Sequence, residues 1–188
     1  TALAHHDAAV ESLVRAALAD QYAVERLIGR GGMATVYLAE EAKHRRTVAI
    51  KVLHPEFAAG FGSERFLREI GIAARLSHPH LVPLLDSGRA GDLLYYVSAY
   101  IPGGALRDRQ RGARRLDVAD ALRIARQVGA ALDYVHRAGF VHRDVKPENI
   151  LFSRTGSKIA DFGIARIPES TITRANTVLG TPAYTAPE

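Results

Sequence analysis

The chain contains no cysteine, which removes disulfide scaffolds, thiolate zinc sites and cysteine nucleophiles together and fits a reducing compartment. It also has no apolar run near the roughly 18 residues that a membrane-spanning helix needs. Glu11 and Arg15 interrupt the apolar stretch near the N-terminus, which makes that stretch a poor signal peptide. The resulting expectation is a cytoplasmic protein. Disordered, collagen-like and coiled-coil chains do not fit either, because 47% of the residues are hydrophobic and 24% charged, close to the soluble globular average. No internal repeat is visible. A length of 188 residues is enough for one domain or a pair of small lobes without metal or disulfide staples.

Basic residues outnumber acidic ones, 25 against 20, for a net charge of +5. The excess is local: five arginines and the single acid Asp108 fall in residues 107–115, so that segment carries +4 and the rest is almost neutral. A nucleic-acid surface spreads its charge along a groove and interleaves aromatics for stacking. No aromatic lies in this run, and it reads as a solvated helix face; no nucleic-acid partner is expected.

Along the chain, Val10, Leu13, Val14, Ala17 and Leu18 recur at helical spacing, with Asp7 as N-cap and Glu11 and Arg15 as an i,i+4 pair. They predict a lead-in helix over residues 7–19. Residues 22–53 change to β-branched and aromatic types broken by glycines, which predicts three antiparallel strands with Gly29, Gly31 and Gly32 in the first turn. A helix over 63–76 and extended segments at 81–85 and 93–101 complete a five-stranded sheet with one helix. Gly103 and Gly104 then punctuate the chain. Asp117 opens the most periodic stretch, with Val118, Ala121, Leu122, Ala125, Val128, Leu132 and Val135 assigned to one face and Gly139 as the stop. Apolar bursts at 140–141, 150–152 and 158–160 read as short strands, and the tail from Ile167 is Thr-rich and irregular.

Three segments carry chemistry. Residues 28–36, IGRGGMATV, lie between two predicted strands, where glycines let a backbone approach a ligand and turn N–H groups toward phosphate oxygens. Taken alone, the segment reads more simply as a turn, and the strand that follows it rules out a Rossmann fingerprint. Lys51, one of four lysines, interrupts the apolar strand VAIKVL, where an ammonium is costly unless it meets an anion. Glu69 shares an apolar helix stripe with Phe66, Ile70 and Ala73, so the two charges imply each other; the alternative of Lys51 at a sheet edge and Glu69 on the wet face stays open. Residues 141–151, VHRDVKPENIL, hold charges, a proline and an amide between apolar ends, which core packing does not explain. There Asp144 can accept a proton, Lys146 can neutralise a transferring phosphoryl group, and Asn149 can offer an oxygen to Mg²⁺. Asp161, in Asp-Phe-Gly after a predicted strand, is a second metal carboxylate.

With glycine-rich loop, strand lysine, helix glutamate, HRD, DFG and APE in order, the chain from about Tyr22 to Glu188 resembles the bacterial eukaryotic-like (Hanks-type) serine/threonine protein kinases. The resemblance implies an α+β, protein-kinase-like bilobal fold. Its parts would be a lead-in helix at 1–20, an N-lobe at 21–101 with a five-stranded antiparallel sheet and one helix, and a truncated, mainly helical C-lobe at 102–188. It further implies ATP and Mg²⁺ as cofactors. Ile28, Gly29, Gly31 and Gly32 would cover the phosphates, Val36, Ala49 and Leu151 would enclose adenine, and the backbone of Ala99 and Ile101 would bind it beside a small gatekeeper, Ser98. Lys51 would bind phosphate while paired with Glu69, Asn149 and Asp161 would hold the metal, and Asp144 would be the catalytic base. Phe162, His142, Ala73 and Leu84 match the stacked side chains of active members. Lys146 and Thr181 form the serine/threonine pattern, so protein hydroxyls are the implied acceptors.

Arg143 before the base implies a phosphorylated activation loop, with Thr173 and Thr177 as candidates ahead of Ser170 and Thr171, and self-association for trans-autophosphorylation. Ala34 replaces the third loop glycine, and Ala99 and Ala105 stand where many relatives carry acids, so a preference for arginine-flanked substrates is not implied. Glu188 completes APE, and the helices the family places after it are absent from the 188 residues. For such a chain the expectation is weak transfer at best, and the alternative is a nucleotide-binding fragment or scaffold without transfer activity.

Overall fold

The structure, a computed structural model, describes residues 2–55, 63–111, 115–161 and 184. The β-branched and aromatic run forms the three expected strands, β1 (Tyr22–Arg30), β2 (Ala34–Glu41) and β3 (Arg46–Leu53). These join β4 (Leu84–Ala90) and β5 (Leu93–Ala99) in an antiparallel sheet of order β1-β2-β3-β5-β4. Side chains alternate across a strand, and the two faces differ in use. Tyr37 and Ala39 of β2 with Val48, Ile50 and Val52 of β3 face a core that Val14 and Leu18 of helix α1 (Ala2–Leu18) complete. Val36 pairs with Lys51 and Leu38 with Ala49 across the same two strands, which puts these four on the other face.

Helix α1 begins at Ala2 rather than Asp7, since alanine and leucine carry the helix back past the expected cap. The predicted i,i+4 pair forms, with Arg15 Nε and Nη2 at 3.0 and 2.6 Å from Glu11 Oε1. The same guanidinium donates to the carbonyls of Val24 and Glu25 on β1, which staples α1 to the edge of the sheet.

The described chain forms two compact units, Thr1–Arg68 with Leu84–Tyr100, and Glu69–Pro83 with Ile101–Glu188. Helix α2 (Ser63–Ala73) is divided between them. It stops short of the expected Leu76 because its last turn tightens: Arg75 and Leu76 donate to Ile72 and Ala73, three residues back, at 3.1 Å each. The expected lobes at 21–101 and 102–188 run differently. Residues 80–82 pair within the second unit, Val82 N–H donating to Ile159 O at 3.0 Å and Ile159 N–H to His80 O at 2.9 Å. Pro83, which has no N–H to give a ladder, separates this pairing from β4. That is why the strand expected over 81–85 starts at Leu84.

In the second unit, α3 (Leu106–Gln110) is followed by α4 (Val118–Arg137), whose expected cap forms: Asp117 accepts the Asp120 N–H at 2.6 Å. Its C-terminus closes with Gly139 at φ +82°, Gly139 donating to His136 O at 2.9 Å and Phe140 to Val135 O at 3.0 Å, the paired bonds of a glycine-terminated helix. Phe140 is therefore part of a cap, and the short strand expected at 140–141 does not form. The buried face of α4 is Ile124, Val128, Ala131 and Val135. Val118 and Leu122, expected on that face, are 76% and 51% exposed. Strands β6 (Ile150–Ser153) and β7 (Gly156–Ile159) form the two-stranded hairpin expected near 150–160. No helix among the described residues is long and apolar enough to cross a membrane.

If α1 is part of the first unit's core, Leu18→Ala, at a site only 4% exposed, lowers unfolding stability by about 2–5 kcal/mol. Leu13→Ala, at 56% exposure, changes it by less than about 0.5 kcal/mol. Urea denaturation of the two variants checks the contrast, and equal effects would contradict it.

Candidate active site

In the first unit, the glycine-rich turn joins β1 to β2, with Gly29 opposite Val36 and Arg30 opposite Thr35. Gly31 N–H donates to Ala34 O at 2.9 Å, His54 N–H donates to Met33 O at 3.0 Å, and the His54 ring lies 3.0 Å from Thr35 Oγ1. None of Gly29, Gly31 and Gly32 has a positive φ, and a Cβ on any of them meets nothing closer than 3.7 Å. Neither backbone conformation nor internal packing demands glycine there. What glycine still provides is an open backbone that a ligand can approach. Ile28 lies one residue before this turn on β1.

Lys51 sits mid-strand with its ammonium 5.7 Å from the Tyr96 ring centroid, a cation–π distance. It is half-buried inside the sheet, which removes the edge-strand alternative for it. Ala99 ends β5 opposite Val48, and Ser98 stands opposite Ala49. Lys51 belongs to the first unit, while Glu69, half-buried on α2, belongs to the second, as does Ile101.

The second unit assembles the remaining described candidates around one loop. His142 is 1% exposed and fixes the loop from inside. Its Nδ1 accepts the Asp144 N–H at 3.2 Å, and its Nε2 lies 2.9 Å from Ala160 O. A ring that accepts at Nδ1 donates at Nε2, so the imidazole is neutral with its proton on Nε2. Burial pushes the His142 pKa below its ordinary value, against smaller opposing effects of the Ala160 carbonyl and the Asp161 and Asp144 carboxylates.

Asp144 is then held from both sides. Lys146 Nζ lies 2.7 Å and Asn149 Nδ2 3.0 Å from the same oxygen, Asp144 Oδ2, and Asn149 Nδ2 also donates to the Asp144 carbonyl at 2.8 Å. Both donors converge on Oδ2, so Oδ1 is the oxygen positioned to receive a further proton. Asn149, 6% exposed, spends its nitrogen on Asp144, which leaves its amide oxygen for a hard cation. Its backbone accepts the Ala160 N–H at 2.8 Å, which brings Asp161 next to it. Two oxygen ligands, an amide and a carboxylate, suit Mg²⁺, which keeps several waters and takes its remaining ligands from phosphate. Among the described residues no cluster of three or more His, Cys, Asp or Glu stands ready to hold a metal alone.

Arg143 and Asp161 both adopt left-handed backbone, φ +66° and +61°, a conformation that costs of order 1–3 kcal/mol outside glycine and concentrates at functional sites. Leu151 follows on β6 and bridges to Ala105. Close approach also explains Gly103, where a Cβ would sit 2.1 Å from Phe152 O. Thr181, Phe162, Gly163, Ser170, Thr171, Thr173, Thr177 and Glu188 lie outside the described residues. Sequence reasoning missed the role of His142 inside the loop and the pairing of Arg107 with Glu148, 3.5 Å apart. A histidine two residues before a motif aspartate hinted at the first; no sequence signal marks the second.

Over residues 22–188 the chain matches the family described as protein kinase domain. It is 40% identical over 179 residues to the serine/threonine-protein kinase PrkC of Bacillus subtilis, covering 94% of this chain and 28% of that protein. The chain thus spans under a third of the length of such curated relatives. Among solved structures it is similar to the kinase domain of PknI from Mycobacterium tuberculosis, with TM-score 0.69 and 37% identity over 77% of this chain and 60% of that one. It is also similar to Rad53 in complex with AMP-PNP, with TM-score 0.75 and 29% identity over 90% of this chain and 42% of that one.

The buried neutral imidazole generates a pH prediction. Its folded pKa lies below the ordinary value of 6.5, so the unfolded chain binds a proton that the folded chain does not. Its contribution to stability is complete above about pH 6.5 and is lost as pH falls through that value toward the lower folded pKa. His78, also shifted down chiefly by burial, adds a loss of the same sign. Urea midpoints for wild type and His142→Asn between pH 7.5 and 5.5 separate the two; an identical pH slope in both proteins would contradict the His142 assignment.

Proposed function

The chain belongs to the protein kinase family and shares its fold, and from that premise we propose that it transfers the γ-phosphoryl group of ATP to serine and threonine hydroxyls of proteins. The observation that carries the reading is the Asp144 carboxylate, with Oδ2 occupied by Lys146 and Asn149 and Oδ1 left to accept. A substrate hydroxyl gives its proton to Oδ1 as its oxygen forms a bond to the γ-phosphorus. The bond from that phosphorus to the β,γ-bridging oxygen breaks, and ADP leaves with the electron pair. Lys146, 2.7 Å from the base, balances charge that builds on the transferring group.

Residues 28–32 and Lys51 serve the phosphates, Val36, Ala49 and Leu151 the adenine face, and Ala99 and Ile101 its backbone hydrogen bonds. Mg²⁺, when bound, neutralises phosphate charge, and the Asn149 amide oxygen and the Asp161 carboxylate are the groups that would hold it. Lys146 and Thr181 carry the serine/threonine selectivity. Relatives named as serine/threonine-protein kinases support that substrate class. Thr173 and Thr177 supply hydroxyls for autophosphorylation between copies of the chain.

Asp144→Asn keeps ATP binding and lowers phosphate transfer to a generic protein substrate by about 10²–10⁴-fold. Transfer of labelled phosphate, beside nucleotide affinity by calorimetry, checks this. Wild type that binds ATP and transfers nothing would point to the scaffold reading. Intact mass after incubation with Mg-ATP rises by whole phosphates at a rate that increases with protein concentration; a concentration-independent rate would place the reaction within one molecule.

A further inference from the structure

Helix α3 opens the arginine-rich segment, and Arg107 on it pairs with Glu148 of the loop that bears Asp144. Gly103 N–H donates to Phe152 O at 3.0 Å, Phe152 N–H donates to Gly104 O at 2.9 Å, and Ala105 bridges Leu151. Leu106, 8% exposed, anchors the helix. The start of the helix is thus bonded to the strand leading out of that loop.

Among the described residues the charge of the arginines exceeds that of the acids beside them. Arg107, Arg109, Arg111 and Arg115 are exposed. Among the described residues Asp108 and Glu148 are the acids paired with them: Asp108 lies 3.6 Å from Arg111 and also accepts the Ala105 N–H at 3.0 Å, and Glu148 lies 3.5 Å from Arg107. Glu148 stands four residues after the base, where a bare carboxylate would draw cationic flanks toward the substrate hydroxyl. Arg107 cancels it. Ala105, at the start of the helix, adds no acid. Arg109 lies 3.4 Å from the ring centroid of buried Phe152, so that aromatic supports the arginine from below and offers no base-stacking surface.

We propose that Arg107, Arg109, Arg111 and Arg115 form a docking surface for acidic residues flanking the phosphorylated hydroxyl of a protein substrate. This rests on the phosphoryl-transfer reading above, and it makes the charge cluster a determinant of which proteins are phosphorylated. Guanidinium groups suit the task because their planar donors match carboxylates in pairs. The attraction acts across a partly exposed surface and so weakens with salt over a Debye length of about 10 Å at 0.1 M.

The test uses the full-length protein and two serine peptides of equal length, one flanked by Asp and Glu and one by Lys and Arg, with their Ser→Ala forms as fluorescent binding probes. Wild type is expected to show at least tenfold lower KM for the acidic peptide, with the advantage shrinking as NaCl rises. Arg107→Glu/Arg111→Glu is expected to reverse the preference with the KM for ATP unchanged. Arg111→Glu alone, at a side chain 75% exposed, should weaken it several-fold without risk to folding. Equal use of both peptides, a preference that survives charge reversal, or tighter binding of a single-stranded oligonucleotide than of the acidic probe would overturn the surface while leaving phosphate transfer intact. Tighter binding of the acidic Ala probe with no transfer to either serine peptide would uphold the surface and overturn the transfer reading instead.

Discussion

The side chain and backbone of Asn149 hold three residues of the second unit at once. Its amide nitrogen binds both the carbonyl and the carboxylate of Asp144, its N–H reaches the Lys146 carbonyl at 2.9 Å, and its carbonyl takes the Ala160 N–H. Asp144, Lys146 and the residue before Asp161 are thereby placed relative to one another by a single residue that is itself almost fully buried. The arrangement depends on register. Ile150 opposite Ile159 and Phe152 opposite Ser157 fix β6 on β7, and a slip of one residue would turn the buried Ile150, Phe152 and Ile159 outward. Apolar burial on the hairpin thus positions the polar site at its end. His142 performs the matching task from the other side, joining Asp144 to Ala160 through one neutral ring.

The first unit solves a different problem, that of presenting a cation and an open backbone from a rigid sheet. One face of β2 and β3 is closed by the core that α1 completes, which frees the other face for Val36, Ala49 and Lys51. The family match begins at residue 22, so α1 adds its buried Val14 and Leu18 from outside the matched region. The glycines of the turn are unconstrained by the chain itself, whereas Gly103 and Gly139 are required by a close carbonyl and a positive φ. Glycines that the fold requires and glycines that it does not separate on that physical test.

Much of this was readable in the residues, for identifiable reasons. Strands β1 to β3 follow from β-branched runs punctuated by turns, and Asp117 and Gly139 mark α4 because caps act locally. Asp144, Lys146 and Asn149 fall within six residues, so a short loop is enough to bring them together. The misread features depend on contacts distant in sequence. Helix α4 is rich in alanine and has apolar residues on more than one side, and only packing on β7 selects Ile124 and Ala131 over Val118 and Leu122. Residues 80–82 leave the expected strand because Ile159 offers them a ladder. Arg107 meets Glu148 across a span of sequence that no local pattern encodes.

The central claim is that the Asn149 amide serves base and metal together, nitrogen toward Asp144 and oxygen toward Mg²⁺. It is tested most directly by Mg²⁺ titration of full-length wild type and Asn149→Ala, following both phosphate transfer and the Mg²⁺ dependence of ATP affinity. The account predicts that the variant needs at least tenfold more Mg²⁺ by both readouts, and that its transfer rate stays low at saturating Mg²⁺ because Asp144 has lost one of its two donors. Unchanged Mg²⁺ requirement and full transfer in the variant would contradict it.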